Sequence, residues 1–156
     1  MRRKDREITD INDIISIIKK CDCCRVAFFD DKYPYIIPMN FGMNYENNKI
    51  TLFFHCANKG KKLDLIKQNP NVSFEMDCSH KLLVGETACD YSMEYESVIG
   101  SGVATIINEN KVEALTHLMK NYSDEKSFHF DENVLKAVTV FKIDVSEITA
   151  KRLKRK

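Results

Sequence analysis

The segment Phe53-Phe-His-Cys-Ala-Asn-Lys-Gly-Lys-Lys-Leu-Asp64 holds the densest set of groups able to do chemistry. Strand-forming residues run up to His55, turn residues follow, and Lys59, Lys61 and Lys62 crowd the expected start of a helix around Gly60. Lysines there meet the positive end of the helix dipole, which costs ~0.3–1 kcal/mol each unless an anion sits among them. Free N–H groups of a first helical turn, a glycine that admits close approach and the ammonium groups together make a phosphate cradle. The same pattern also describes lysines solvated on a surface turn. His55 can donate a proton to a reduced substrate, or it can simply orient the loop through a hydrogen bond.

Other constellations are less specific. Cys21-Asp-Cys-Cys24 contains a C-x-x-C spacing, which suits zinc or redox chemistry, but no second pair accompanies it. Cys56 could join such a site, yet His55 and Cys56 are adjacent on a strand and point to opposite faces. These thiols are therefore expected to be small core residues where a helix meets a strand, with no metal bound. Gly100 and Gly102 lie inside an expected strand, so they mark a bulge or a close backbone approach and not a dinucleotide fingerprint. The phenylalanines at 28, 29, 41, 53 and 54 serve a core first. His80, His117 and His129 read as loop or helix-surface residues.

The elements that position these groups follow from periodicity. Ile11, Ile14, Ile15 and Ile18 form a helical stripe behind the cap candidates Thr9-Asp10. Arg25–Phe29 reads as a strand, 30–34 as a turn and Tyr35–Phe41 as the antiparallel return, with Pro38 demanding an edge or a bulge. Asn47-Asn48 turns into a strand over Lys49–His55, and a helix from about Lys59 to Gln68 ends at Asn69-Pro70. Val72–Met76 alternates as a strand, and Asp77–Glu96 shows no period and is expected to be a long excursion or lid. A strand over Ser97–Ile107, a helix over Asn110–Tyr122 and a strand over Ala137–Val145 complete the chain. About six strands with two interposed helices point to a small closed antiparallel β-barrel decorated by helices.

With 156 residues, 44% hydrophobic and 30% charged, the chain is expected to form a single globular domain over 1–156. No secretory signal and no apolar run long enough to span a bilayer is found, so the expected compartment is the cytoplasm, with the 6 cysteines reduced. The net charge is +1, but five basic residues fall in 151–156, leaving the body mildly acidic. That distribution argues against a nucleic-acid or membrane partner, and the basic tail is expected to be a solvated terminus. If the tail did contact a nucleic acid, binding would collapse on its deletion and weaken steeply with salt.

Taken together, Arg25-Val-Ala-Phe-Phe-Asp, Pro34-Tyr-Ile-Ile-Pro-Met-Asn-Phe-Gly42, Phe54-His-Cys-Ala, Gly60-Lys-Lys-Leu-Asp-Leu, Asn69-Pro70, Ala88-Cys-Asp-Tyr-Ser, Tyr95-Glu-Ser-Val-Ile-Gly-Ser-Gly-Val-Ala and Ile148-Thr-Ala-Lys resemble the pyridoxamine-phosphate oxidase-like split-barrel flavoproteins, nearest their nitroimidazole-resistance branch. The resemblance covers most of the chain and lies in the order and spacing of the pieces. It implies a mainly β fold, a six-stranded antiparallel split barrel, working as a homodimer with flavin mononucleotide (FMN) in clefts between the subunits. It places the phosphate-binding basic pair on Lys61 and Lys62 and a phosphate-side arginine on Arg25. Pro38, Met39, Asn40, Phe54 and His55 would cradle the ring, with Ser97 and Val98 as weaker cleft residues. The chain lacks the arginine- and tryptophan-bearing C-terminal segment of true pyridoxamine-phosphate oxidases, which points away from vitamin B6 oxidation. The implied function is a flavin-dependent oxidoreductase acting on a small molecule, with His55 as proton donor. The alternative is a non-enzymatic split barrel holding flavin or haem, in which His55 would be an axial ligand.

Overall fold

The computed structural model describes residues 3–154. Asp10 caps the first helix, α1 (Ile11–Lys20), by accepting from Asn12 N at 2.7 Å, and Ile14, Ile17 and Ile18 are buried. A two-stranded hairpin follows, β2 (Cys24–Phe28) with β3 (Tyr35–Met39), the short strand β1 (Glu7–Ile8) having preceded α1. The strand β4 (Gly42–Glu46) turns at Asn47-Asn48 into β5 (Lys49–Ala57). Both asparagines sit in the left-handed region, φ 52° and 60°, as a tight two-residue hairpin requires. Helix α2 (Lys61–Gln68) leads into the long strands β6 (Asn71–Leu83) and β7 (Ser92–Ile107), then α3 (Lys111–Met119), α4 (Glu132–Ala137) and β8 (Val138–Leu153).

The fold is mainly β: one antiparallel sheet in the order β3-β2-β6-β7-β8-β5-β4, with β1 added to β8. The sequence pattern suggests six strands in a closed barrel; the sheet has eight and does not close. The return from β2 is interrupted at Asn40-Phe41, so one expected strand becomes β3 and β4, which are joined in sequence yet lie at opposite ends of the strand order. That is the split in the barrel. Pro38 pairs with Arg25 on the edge strand β3, the place in a sheet that tolerates a residue without an N–H.

The barrel core holds Phe28, Phe41, Phe54 and Phe141, each about 1.5–3 kcal/mol of apolar burial. Phe54 stacks on Phe141 at 5.0 Å and Phe28 meets the same ring edge-on at 6.3 Å. Leu65 and Ile66 of α2 and the buried face of α1 extend this core. A smaller cluster on the outer side of β5 and β8 is covered by α3 and α4 through Leu115, Ala114 and Leu135. Gly100 and Gly102 sit where backbones close up. A Cβ at Gly102 would stand 2.4 Å from the Asp144 carbonyl, and the register of β7 on β8 shifts between Ser101 and Gly102.

The lack of a period over residues 77–96 conceals two strands. Paired strands extend through Leu83 and from Ser92, making a hairpin arm with a bulge between Cys78 and Lys81. Its alternation is broken by that bulge and by polar residues on both faces, which hid the strands from a periodicity test. Residues 151–153 do not belong to a solvated tail: β8 runs through Leu153, and Arg152 binds Glu96 and Asp13. Arg155 and Lys156 lie outside the described residues. No helix among the described residues is long and apolar enough to cross a membrane.

Candidate functional site

The alternation of β5 puts Leu52 and Phe54 in the core and turns Phe53 and His55 outward. Phe53 is covered by α3, whose His117 stacks on it at 5.0 Å, and His55 beyond it is exposed beside Val140 of β8. The chain leaves β5 through Asn58, whose amide donates to the Lys136 carbonyl at 2.7 Å while its oxygen accepts from Thr139 at 2.9 Å. That clamp fixes the turn on which α2 starts.

Gly60 precedes the first residue of α2 with φ +147°, a backbone that favours glycine, and no side chain caps the helix. No atom lies within 4 Å of where a Cβ at residue 60 would stand, so the corner is open. Lys61 and Lys62 take different surroundings. The Lys61 ammonium lies 2.5 Å from Asp30, at the end of β2, and 5.0 Å above the Tyr35 ring. Its hydrogen bond holds the Asp30 carboxyl below the usual range and raises the lysine in turn. Lys62 has no ion pair among the described residues; it faces Cys56, where burial pushes the thiol up and the lysine charge pulls the other way. An open pocket of about 320 Å³, lined by Phe29, Asp30, Tyr33, Pro34 and Ser73, adjoins this corner through Asp30.

The remaining candidates separate by face. Pro38 and Arg25 are exposed in one row of the outer face of β3 and β2, and Ser97 of β7 is half-buried one row on, opposite Asp77. Asn40, just beyond β3, is exposed and donates to the Asp22 carbonyl at 3.3 Å. The Tyr122 hydroxyl donates to the same carbonyl and accepts from Phe41 N, both at 2.9 Å, so the split between β3 and β4 is held in place. The Met39, Phe54 and Val98 side chains point into the core. They could meet a ligand only through their backbone.

The Arg25 guanidinium is already shared, 2.6 Å from Asp77 and 3.1 Å from Glu75. His80 is no bare loop residue: its Nε2 lies 2.7 Å from the other Asp77 oxygen. Sequence reasoning missed Asp30, Glu75, Asp77, Tyr122 and this role of His80, because each acts through a partner remote in sequence or through a bulge with no local signature. Cys21 and Cys24 are buried with their thiols pushed up, and no group of three or more metal-ligating side chains occurs among the described residues.

The family model described as pyridoxamine 5′-phosphate oxidase matches residues 10–152. The solved structure of a protein described as a 5-nitroimidazole antibiotic resistance protein, from Bacteroides thetaiotaomicron, is 35% identical over 93% of this chain and 85% of its own, with a TM-score of 0.79. An FAD and heme binding protein from Mycobacterium smegmatis shares the fold at a TM-score of 0.83 and 15% identity, over 96% of this chain and 74% of that one. The flavocytochrome Anf3 of Azotobacter vinelandii does so at 0.80 and 15%, over 99% and 72%. No curated protein matches the chain in sequence.

Proposed function

Because the chain belongs to the pyridoxamine 5′-phosphate oxidase family, we propose that it holds FMN at the corner where β5 runs into α2 and acts as an oxidoreductase on a small nitroaromatic of the nitroimidazole type. The observation that carries this reading is the uncapped, open start of α2, with Gly60 at φ +147° and lysines at its first two positions. Free backbone N–H groups with two lysines on the same first turn suit a phosphate dianion. Lys62 is free to bind it at once, and Lys61 would share itself between phosphate and Asp30.

Bound flavin would supply the hydride or electrons. The chain supplies position and protons. Pro38 and Asn40 present the edge of β3, with Met39, Phe54 and Val98 contributing backbone, and the exposed His55 ring donates a proton to the reduced substrate. Arg25 and Ser97 stand on the outer face. We place a second copy of the chain on that face, making the cleft complete only in the homodimer. The face supports this with Ile36 and Ile99 exposed at 61% and 53% beside a hollow of about 250 Å³. Six free thiols suit work in the reducing cytoplasm, and neither a nucleic acid nor a membrane belongs to this reading.

The purified protein should be yellow, bleach on reduction and release FMN identified by mass. Replacing both Lys61 and Lys62 by Ala should weaken FMN by about 10- to 100-fold with the melting temperature retained, and Asp30→Asn should tighten it. A colourless protein, or unchanged affinity in the double variant, would sink the reading. A Soret band would select haem instead.

A further inference from the structure

The outer face carries a compact charged quartet where β2 and β6 run side by side. Arg25 bridges Asp77 and Glu75, and His80 holds the remaining Asp77 oxygen at 2.7 Å. In an uninterrupted strand residues 78 and 80 would share the core face. The bulge prevents this: Ser79 takes φ 59°, a left-handed conformation unfavourable for a residue other than glycine, and His80 reaches the face of Asp77. Strained positions of this kind gather where a side chain must be re-aimed.

With its imidazole neutral, the quartet holds one positive and two negative charges. Neighbouring elements do not correct the surplus. Ser97 of β7 faces Asp77, and beyond it Lys151 of β8 and Glu7 of β1 pair opposite one another and cancel. On the other side of the sheet Glu96 is matched by Lys20 and Arg152, and Glu94 stands across from Lys81. The quartet borders the hollow floored by Ala27, Ile36, Phe74 and Ile99, with Arg25 and Glu75 on its rim. A surface that covers the hollow also takes Arg25 and Glu75 on its rim out of water, and a buried cluster with a net charge is strongly disfavoured.

We propose that pairing of two copies on this face takes up one proton on each His80, so that the dimer is tight in mildly acidic solution and loosens as the pH rises. The inference rests on the reading above that this face is the homodimer interface. The sign follows from linkage: protonation is favoured in the dimer, so the stabilisation is complete where the separated chain's imidazole is already protonated and is lost as the dimer's imidazoles deprotonate. Two protons per dimer allow the dissociation constant to rise by up to about 100-fold per pH unit.

Sedimentation of the full-length, flavin-loaded protein between about pH 5.5 and about pH 8.5 tests this. The wild type should show the steep rise. His80→Gln should flatten it and leave a weak dimer, whereas Asp77→Asn, which removes the surplus charge without a proton, should give a tight dimer at every pH. Circular dichroism melts of each variant establish that it is folded. A flat wild-type profile, or a His80→Gln profile that keeps the wild-type slope, overturns the inference. A chain that binds flavin yet stays monomeric throughout overturns both the interface and the inference; a pH-dependent dimer without flavin leaves the inference standing and removes the flavin assignment.

Discussion

His55 stands exposed on the outer face of β5, just before the turn clamped by Asn58. If it donates the proton, His55→Gln should keep FMN absorbance and affinity while lowering the rate of nitroaromatic reduction by about 10²- to 10⁴-fold, measured by anaerobic single turnover. Unchanged turnover would assign it the orienting role. Lys61 and Lys62 look alike in sequence, yet one is held by Asp30 and the other has no ion pair among the described residues. Spacing pointed to the cradle because the helix start, the glycine and the lysines are all local. It could not show the Asp30 partner, 31 residues away along the chain and brought in by the end of β2.

The arm formed by β6 and β7 is fastened at its base by Glu96. This carboxylate is 6% exposed and accepts from Lys20 of α1 at 2.7 Å, from Ser79 at 2.9 Å and from Arg152 of β8. Burial alone would raise its pKa, but those three hydrogen bonds bring it down to about 2. A lowered carboxyl stabilises the fold fully above its unfolded value and loses that contribution as pH falls toward the folded value. Glu96→Gln should therefore cost about 3 kcal/mol at neutral pH in urea unfolding. The gap to wild type should narrow steadily below about pH 4.5; a constant gap down to pH ~2 would show that the charge is not what matters. The sequence suggested a loop here and a solvated tail at the C-terminus. Both errors have one origin: strands stabilised by ion pairs across distant segments carry little hydrophobic alternation of their own.

At the scale of the molecule, the sheet leaves its β3 and β4 ends unpaired with each other and presents an apolar patch on the face of β3, β2, β6 and β7. Ile99, on β7, is 53% exposed in that patch and has no role in the core. Ile99→Asp should thus leave the monomer folded, shift sedimentation from dimer to monomer and weaken FMN together with dimerisation. A dimer that survives the change would move the interface elsewhere.

By itself the sequence determined the mainly β class, the helices α1, α2 and α3, that Pro38 needs an edge or a bulge, that Gly100 and Gly102 mark a bulge or a close approach, and the lysine-rich helix start. All of these rest on local rules of backbone sterics, periodicity and capping. Only the tertiary structure decided the strand count, the opening of the barrel between β3 and β4, the ion pair on Lys61 and the quartet around His80. Those depend on which distant residues meet, and a bulge of a single residue suffices to exchange the face that a side chain sees.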